Sequence, residues 1–485
     1  MITVEDKLDI MAMTFTDKKV LVIGLARSGI GAANLLCSLG AKVSVSDSKP
    51  RSMLESQIAK LPSSVEVITG GNPHEAFDEA DIIVISPGVP GNISPLKYAR
   101  EKGIPVISEI ELAFQVMSSV GSLPFIGITG TNGKSTVTTL VDLMLKDSGY
   151  KTLLGGNIGN ALTEEIYNKY IMDGEISVDD KPDYIVAEIS SFQLESIKEF
   201  RPKISAVLNI SPDHLDRYNS MEDYIDAKAE IFSNQTTGDY VIVNADDPVL
   251  MEICNDRMIK KGSGFPDVVF FSRQKEVKGA YEKEGVIYLN IPDYQSPALN
   301  LPIIAIDEVK IKGAHNIENA LASALIAFMA GSKPEEVKNV LRSFQGLEHR
   351  MEFVKEVNGI TFINDSKGTN VGAVAKSLES FGNLVLIMGG TDKGSDFSIL
   401  KDQVNRKVKT LILIGEARDK IENALGNSVD TYKVEDLYKA VELSMSKASS
   451  GDTVLLSPGC ASFDMFQNFE ERGREFKKAV NEITD

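Results

Sequence analysis

The residues with the clearest chemical potential lie at 127–136, which reads GITGTNGKST. Glycines allow backbone N–H groups to converge on an anion, a lysine can reach the outer phosphates, and an adjacent hydroxyl can hold Mg²⁺. Gly130, Gly133, Lys134 and Ser135 supply those parts. The pattern predicts a phosphate-binding loop, and the alternative is an ordinary glycine-rich turn before a helix.

The sequence around this loop supports the first interpretation. Residues 124–128 form an apolar run typical of a strand, and the apolar residues from Val137 to Leu145 recur at helical spacing. The order is therefore strand, loop, helix. One departure is Ile128, which stands where the common phosphate-loop pattern has a glycine.

Length and composition limit the classes of protein to consider. A chain of 485 residues is too long for one hydrophobic core and suggests roughly three domains. A net charge of −18 argues against a broad nucleic-acid or anionic-membrane surface, although it allows a local basic pocket. We therefore expect small-molecule partners, with no nucleic acid and no membrane.

The cysteines and the lengths of the apolar runs indicate the cellular compartment of the protein. The 3 cysteines are odd in number and widely separated, which favours free thiols over a disulfide framework. The acidic first residues lack the apolar core of a signal peptide, and the apolar runs are only strand-sized. We expect a cytoplasmic protein and a monomer.

Three α/β units follow one another along the chain. The first opens with a βαβ pattern at 19–47, and its glycines, Gly24-x-Ala26-x-x-Gly29, are similar to a dinucleotide fingerprint. Ala26 disfavours a dinucleotide, because its methyl group hinders the approach of a pyrophosphate to the backbone. A nicotinamide-dependent oxidoreductase remains the alternative, with Asp47 near the position of a ribose-binding acid.

The second and third units repeat the alternation of strands and helices, which predicts mainly parallel sheets. Residues 265–312 are richer in turns and predict an antiparallel section or insertion. A strongly apolar helix begins near Asn316 and stops at Gly331. The predicted strands of the two units are 184–188, 204–209, 240–244, 360–364, 384–388, 410–414 and 453–457.

Three further residues could serve a phosphate site. Glu188 ends a predicted strand, where an acid can hold Mg²⁺, although it could also be a helix-start acid favoured by the helix dipole. His214 follows another predicted strand and could equally be a satisfied turn histidine. Lys228 lies in a helical stretch and, taken alone, is an ordinary surface lysine.

Taken together, these segments resemble the ATP-dependent Mur ligases of peptidoglycan synthesis. The motifs that carry the resemblance are the phosphate loop, GGNIGN, EISSFQLE, SPDHLDRY, DAKAEIF, HNIENA, NDSKGTN, GGTDKGSDF and SPGCASFDMFQNFEERGREF. Together with GLARSG and SPGVP, the C-terminal segments narrow it to the members that add D-glutamate. Gly368 and Gly459 stand where we expect alanines, which should loosen these loops more than change their chemistry.

The resemblance implies an α/β fold of three domains. These are an N-terminal Rossmann-like UDP-binding domain, a central P-loop ATPase-type domain with a mainly parallel sheet, and a C-terminal Rossmann-like amino-acid-binding domain. We place them at 1–112, 113–346 and 347–485. It also implies that ATP phosphorylates the carboxylate of UDP-N-acetylmuramoyl-L-alanine and that the amine of D-glutamate then attacks the acyl phosphate.

The resemblance also assigns roles to residues. Lys134, Glu188, His214 and Lys228 would be catalytic, and Mg²⁺, as a pair of ions, would be served by Ser135, Glu188, His214 and a carbamylated Lys228. ATP would be bound by Gly130, Thr131, Asn132, Gly133, Lys134, Ser135, Thr136, Asn316, Asn319, Arg350, Asp365 and Lys367. Substrate contacts would come from Arg27, Ser28, Asp47, Ser48, Gly88, Asn157, Thr369, Lys393, Ser462 and Phe469.

Considered one at a time, several of these residues could have ordinary structural roles instead. Lys393 lies in a glycine-rich turn, Phe469 could occupy an apolar helix face, and Thr369 could be a helix cap. Other interpretations of the whole chain are a related amide ligase with a different amino acid or folate substrate and a nucleotide-dependent binding module. The second would release phosphate without both co-substrates.

Overall fold

The structure is a computed structural model that describes residues 15–119, 121, 123–172, 175–176, 181–213, 217–255, 264–291, 300–392, 394–426 and 429–483. The chain divides into two compact units, with the boundary between Phe344 and Gln345. Two predicted site residues, His214 and Lys393, lie outside the described residues. The domain limits 1–112, 113–346 and 347–485 stay predictions.

The first unit begins with a parallel sheet of 5 strands in the order β3-β2-β1-β4-β5. The chain moves outward from β1 to β3 and then returns to the other side of β1, so ligand-binding loops are expected at the carboxyl ends of β1 and β4. The strands are β1 (Lys19–Ile23), β2 (Lys42–Asp47), β3 (Glu66–Thr69), β4 (Ile82–Ile85) and β5 (Val106–Ser108). The helices are Arg27–Ser38, Glu55–Ile58, His74–Asp78 and Ser94–Glu101, with a 3₁₀ turn at Arg51–Met53.

The glycines of the fingerprint-like segment are needed for packing. Gly24 has a φ of +90°, in the left-handed region that glycine tolerates. A Cβ on Gly29 would lie 1.9 Å from the carbonyl oxygen of Gly24, so only glycine permits this helix to approach β1. The pattern thus serves close helix–strand packing, with or without a dinucleotide.

The rest of the first unit is built on a sheet of 9 strands in the order β16-β15-β14-β13-β12-β11-β6-β10-β7. Its pairs are parallel from β7 across to β14 and antiparallel from β14 to β16. The antiparallel section predicted near 265–312 is therefore confirmed for β14 to β16, whereas β13 in the same range is parallel to its neighbours. The strands are β6 (Phe125–Thr129), β7 (Thr152–Gly156), β10 (Tyr184–Glu188), β11 (Ile204–Val207), β12 (Tyr240–Asn244), β13 (Asp267–Ser272), β14 (Gly279–Lys283), β15 (Val286–Asn290) and β16 (Asn300–Ala305), and β8 (Ile171–Met172) pairs separately with β9 (Glu175–Ile176).

Helices pack on this sheet and bury its apolar strands. The helix Ala314–Met329 is apolar on nearly every side and lies against the helix that follows the phosphate loop, Lys134–Asp147. A helix that is apolar all round belongs in a protein core. The other helices are Glu109–Ser119, Leu162–Tyr170, Ser191–Leu194, Met221–Ala229, Pro248–Ile253 and Pro334–Ser343, with a 3₁₀ turn at Glu230–Phe232.

The second unit has a sheet of 6 strands in the order β17-β18-β22-β19-β20-β21, in which only the β17–β18 pair is antiparallel. Its core lies on both faces of the sheet. The strands are β17 (Glu352–Val357), β18 (Ile360–Asn364), β19 (Leu384–Gly389), β20 (Val408–Ile414), β21 (Asp430–Lys433) and β22 (Thr453–Leu456). The helices are Val371–Glu379, Lys401–Lys407, Arg418–Leu425, Leu437–Lys447 and Phe469–Asn481, with a 3₁₀ turn at Phe397–Leu400.

Two sequence-based expectations can be compared directly with this fold. Cys37, Cys254 and Cys460 are all free thiols, as expected. Within the described ranges, none of the helices has the length and apolar character that a bilayer crossing requires.

Candidate active site

The phosphate loop follows β6, an interior strand that is third from the β7 edge of the large sheet. β6 ends at Thr129 and the next helix begins at Lys134, so the loop consists of Gly130 to Gly133. Ile128 belongs to β6, is 0% exposed, and pairs with β10 and β11 on its two sides. The position that departs from the common pattern is therefore a buried strand residue, where an isoleucine packs better than a glycine.

The side chain of Lys134 folds back onto the phosphate loop. Its Nζ donates to the carbonyl oxygens of Gly130 and Thr131, at 2.7 and 2.9 Å. Gly133 has a φ of +84°, and a Cβ there would lie 2.3 Å from Oδ1 of Asn319. The start of the helix Ala314–Met329 thus reaches the loop, and Asn319 in turn donates its amide to Oδ1 of Asn316.

The polar segment that follows β11 forms hydrogen bonds to the phosphate loop. Asn209 accepts the backbone N–H of Asn132 at 2.8 Å and donates its amide to the Asn132 carbonyl at 3.1 Å. The hydroxyl of Thr131 accepts the N–H of Ser211 and lies 3.1 Å from the hydroxyl of Tyr224. Sequence reasoning missed Asn209 and Tyr224, although Asn209 ends a predicted strand at the same sheet edge.

Glu188 is the last residue of β10, the strand next to β6. Its side chain is buried, and Oε1 accepts the amide of Asn157 at 2.7 Å. Oε2 is buried with no hydrogen-bond partner among the described residues, which is costly for a carboxylate oxygen and suits a bound cation. The alternative of a helix-start acid is wrong, because Ser190 caps the following helix.

Lys228 is only 1% exposed, which excludes the surface-lysine alternative. Its Nζ donates to the Gly130 carbonyl at 2.9 Å and lies 4.7 Å from the ring centroid of Tyr224. Burial, followed by the positive charge of Lys134, lowers the pKa of Lys228 to about 7. A substantial fraction of the amine is therefore uncharged and nucleophilic at neutral pH.

This pKa has a consequence for stability. The unfolded lysine keeps its proton up to its ordinary pKa of 10.5, whereas the folded lysine loses it at about 7, so between these values the unfolded state binds more protons. The Lys228 contribution to the free energy of unfolding then rises with pH, by at most about 1.4 kcal/mol per unit. The stability gain of Lys228→Met over the wild type should be largest below pH 7 and shrink as the pH rises.

Urea unfolding in carbon-dioxide-free buffer at several pH values measures this difference. Lys169→Met is the matched control, because Lys169 is a half-exposed lysine paired with Glu165 on the surface of the same unit. A Lys228→Met stability difference that does not vary with pH would contradict the lowered pKa.

The first sheet carries part of the predicted UDP pocket. The carboxylate of Asp47 accepts the backbone N–H groups of Leu25 and Lys49, at 2.8 and 2.9 Å. It therefore fixes the loop after β1 through hydrogen bonds. Arg27 donates to the carbonyl of Gly159 at 2.7 Å, so it connects this loop to the segment that carries Asn157.

The remaining predicted UDP contacts lie at the same edge of the sheet. Ser28 is half-buried at the start of the first helix, and Ser48 is exposed after β2. Gly88 is exposed after β4, with open space where a side chain would stand. The structure brings these loops together at the carboxyl ends of β1, β2 and β4, while their contact with UDP stays a prediction.

In the second unit, Asp365 follows β18 and is buried. It accepts the hydroxyls of Ser377 and Ser457, at 2.6 and 2.7 Å. Burial raises the pKa of Asp365, and the charge of Arg350 opposes that rise. Arg350 and Asp365 are therefore neighbours within this unit, and their contact with ATP stays a prediction.

Lys367 and Phe469 also lie together. Nζ of Lys367 is 5.8 Å from the ring centroid of Phe469, and the hydroxyl of Ser366 donates to the Phe469 carbonyl at 2.8 Å. Phe469 begins the last helix and is half-buried. Thr369 is not a helix cap, because Asn370 caps the following helix.

Arg472 joins the loops of the second unit, although sequence reasoning gave it no role. Its guanidinium is buried and donates to carbonyls of Ser366, Cys460 and Ala461 and to the hydroxyl of Ser366. It contacts no carboxylate among these partners, and burial lowers its pKa to about 10. The loops that it joins carry Lys367, Thr369 and Ser462.

Three protein-family models match successive parts of the chain. Residues 18–108 match the model described as Mur ligase MurD-like, N-terminal domain. Residues 128–327 match Mur ligase middle domain, and residues 349–460 match Mur ligase, glutamate ligase domain.

Curated relatives match over nearly the whole chain. A protein of Geotalea daltonii named UDP-N-acetylmuramoylalanine–D-glutamate ligase is 44% identical over 97% of this chain and 99% of its own. A protein of Thermoanaerobacter sp. with the same name is 44% identical over 97% of this chain and 100% of its own.

Solved structures share the fold at lower identity. A UDP-N-acetylmuramate–alanine ligase from Thermotoga maritima aligns with a TM-score of 0.54 at 18% identity, covering 96% of this chain and 99% of its own. A MurF ligase from the same organism, in complex with ADP, aligns with a TM-score of 0.54 at 16% identity, covering 84% and 91%.

Proposed function

The chain belongs to the Mur ligase family of ATP-dependent ligases, and from this premise we propose that it joins D-glutamate to UDP-N-acetylmuramoyl-L-alanine. The reaction would supply a peptidoglycan precursor in the cytoplasm, and so serve cell-wall synthesis and division. The observation that carries the proposal is the phosphate loop at Lys134, flanked by two buried functional groups, Glu188 and Lys228.

The proposed chemistry has two steps. A carboxylate oxygen of the substrate attacks the γ-phosphorus of ATP, and ADP leaves. The amine of D-glutamate then attacks the acyl carbon, a proton leaves the nitrogen, and phosphate departs to leave an amide. Phosphorylation is needed because a free carboxylate is a poor electrophile, and the transferring phosphoryl oxygens need cationic stabilisation.

Lys134 supports the first step. Its ammonium group lies over the carbonyls of Gly130 and Thr131, at the mouth of a loop whose glycine backbone is suited to an anion. It would move from these carbonyls to the phosphates of ATP. Asn209 and Tyr224 hold Asn132 and Thr131 in place, so that little loop ordering remains when the nucleotide binds.

The residues present also fit Mg²⁺. The described residues contain no cluster of three His, Cys, Asp or Glu side chains with metal-ligand geometry. Mg²⁺ bound together with phosphates needs few protein ligands, however, and Glu188 offers a buried oxygen without a partner. Glu188 and Ser135 would hold the ion, with His214 as a further predicted ligand. When bound, it would neutralise charge on the transferring phosphoryl group.

Carbamylation of Lys228 is a further part of the proposal. The uncharged amine would attack carbon dioxide and lose a proton, which converts a cation into a carboxylate-like group. The pKa of about 7 supports this, because the reaction needs the neutral amine. The modification would also remove the repulsion between Lys228 and Lys134, the nearby charge that disfavours the protonated amine.

The second unit would supply D-glutamate binding and further ATP contacts. Thr369 and Ser462 lie on loops joined by Arg472, Phe469 begins the last helix, and Lys393 completes the set predicted from sequence. A lysine can pair with a substrate carboxylate and a hydroxyl can accept or donate a hydrogen bond, which suits a short dicarboxylic amino acid. Arg350, Asp365 and Lys367 would reach ATP.

Phosphate release measured over a matrix of acceptors and amino acids tests the function. We expect release only when ATP, UDP-N-acetylmuramoyl-L-alanine and D-glutamate are all present. Robust activity with L-lysine, or with a folate and glutamate, would overturn the substrate assignment. Phosphate release that needs neither co-substrate would indicate a nucleotide-dependent switch instead.

A further inference from the structure

A compact polar and aromatic cluster lies within the first unit, next to Tyr224, whose hydroxyl contacts the phosphate loop. Arg217 forms an ion pair with Glu195 at 2.8 Å, and its guanidinium carbon lies 4.1 Å from the ring centroid of Phe192. Tyr218 donates its hydroxyl to Glu195 at 2.7 Å and stacks on Phe192 at 6.0 Å. We name these four residues the Arg217 cluster. Its ion pair is mostly buried, with side-chain exposures of 17% and 23%.

The free side of the Arg217 guanidinium faces a loop of the first sheet. It donates to the carbonyls of Pro87 and Val89, at 3.1 and 3.3 Å. These two residues flank Gly88, and the loop follows directly after β4. A side chain from the large sheet therefore holds a loop at the ligand-binding edge of the first sheet.

The same loop contacts the loop after β1 on its other side. The hydroxyl of Ser86 donates to the Gly24 carbonyl at 2.9 Å. A Cβ on Gly24 would meet a methyl group of Val89 at 2.9 Å. Val89 therefore packs closely beside Gly24, so the loop that Arg217 contacts lies directly against the loop after β1.

Two members of the Arg217 cluster come from the short helix that follows Glu188. Phe192 and Glu195 lie on or beside the short helix Ser191–Leu194, which begins three residues after the end of β10. The cluster thus connects the strand that carries Glu188 with the loop that carries Gly88. Glu188 and the loop with Gly88 both lie at carboxyl ends of parallel strands, where α/β proteins bind ligands.

Arginine is suited to this position and lysine is not. The guanidinium places donors on three nitrogens in one plane, so it can reach a carboxylate and two carbonyls while its face stacks on Phe192. An ammonium has one nitrogen and no planar face, so it could keep the Glu195 pair but not span both carbonyls.

We propose that Arg217 is a positioning residue for the UDP-sugar substrate: it holds the Pro87–Val89 loop in the geometry that binds this substrate and joins it to the helix after Glu188. Arg217 acts through the loop backbone and needs no substrate contact of its own. The inference rests on the proposed function, because it assigns the first-sheet loops to the UDP-sugar.

Kinetics of Arg217→Lys and Arg217→Ala, with calorimetric titration of UDP-N-acetylmuramoyl-L-alanine, test the proposal. We expect the KM and Kd for this substrate to rise about tenfold, as for the loss of hydrogen bonds from a charged donor. The KM for ATP should stay unchanged. Arg201→Lys is the matched control, because Arg201 also pairs with an acid, Asp239, in the same unit, but precedes the amino end of β11, whereas the loops follow the carboxyl ends of their strands.

Two results would overturn the inference. One is an unchanged Kd for the UDP-sugar in a folded Arg217 variant. The other is a parallel rise of every KM with a lowered melting temperature, which indicates a general structural role. If Arg217→Ala does not fold, Glu195→Gln keeps the shape of the pair and should show the same selective rise at smaller size. A wild-type protein that does not bind the UDP-sugar contradicts the proposed function instead.

Discussion

Replacement of Lys134 with alanine should lower turnover by about 10³-fold, because a cation aimed at the transferring phosphoryl group is lost. Binding of the UDP-sugar should be largely unchanged, because the first-sheet loops around Asp47 and Gly88 do not depend on Lys134. Steady-state phosphate release and calorimetric titration of UDP-N-acetylmuramoyl-L-alanine measure the two effects.

The control for this prediction is Lys169→Ala, which removes the half-exposed lysine of an ion pair with Glu165 on the first unit. Its turnover should match the wild type. An equal loss of turnover and of UDP-sugar binding in folded Lys134→Ala would contradict the separation of the two sites. Turnover that survives the substitution would contradict the phosphate-loop assignment.

Replacement of Lys228 with alanine should also abolish most of the activity, by about 10²–10³-fold, if a carbamate at this residue acts beside the phosphate loop. The substitution leaves a cavity next to the Gly130 carbonyl and the Tyr224 ring. A small carboxylate such as acetate could occupy that cavity and return the missing negative charge. We therefore expect partial recovery of activity that saturates with added acetate.

A control with an amine and an NMR measurement with labelled bicarbonate make this test specific. Methylamine at the same concentration should not restore activity, because it returns the lysine charge rather than the carbamate charge. Carbon-13 NMR of the wild type equilibrated with labelled bicarbonate should show a carbamate signal that Lys228→Ala lacks. Recovery with methylamine but not acetate would mean that the unmodified lysine is the active form.

The elements of the site could be predicted because their signals are local. The phosphate loop needs glycines at positive φ, a lysine at the helix start and an apolar strand before it, and all three are adjacent in sequence. Glu188 was found because a strand end followed by an acid is also a local pattern. The predicted strand 184–188 agrees with β10, and the apolar helix predicted near Asn316 corresponds to Ala314–Met329.

Other features could not be predicted because they depend on distant contacts. The side-chain amide of Asn209 makes two hydrogen bonds to the backbone of Asn132, although the two residues are far apart in sequence. Arg217 and Arg472 look like surface arginines in sequence, and only the fold shows that the first holds a loop of another sheet and the second is buried among carbonyls. Strand pairing sets these contacts, and no local pattern encodes it.

The sequence by itself determined which chemical groups are present and in what order: a phosphate loop, an acid after a strand, a histidine and a lysine beyond, and α/β units to carry them. Only the tertiary structure decided the state of those groups. Lys228 has a lowered pKa because the helix Met221–Ala229 buries it beside the Gly130 carbonyl. Glu188 has an unpartnered oxygen because β10, paired with β6, buries its side chain beside the same loop. The physical reason is desolvation, which depends on what surrounds a residue in space.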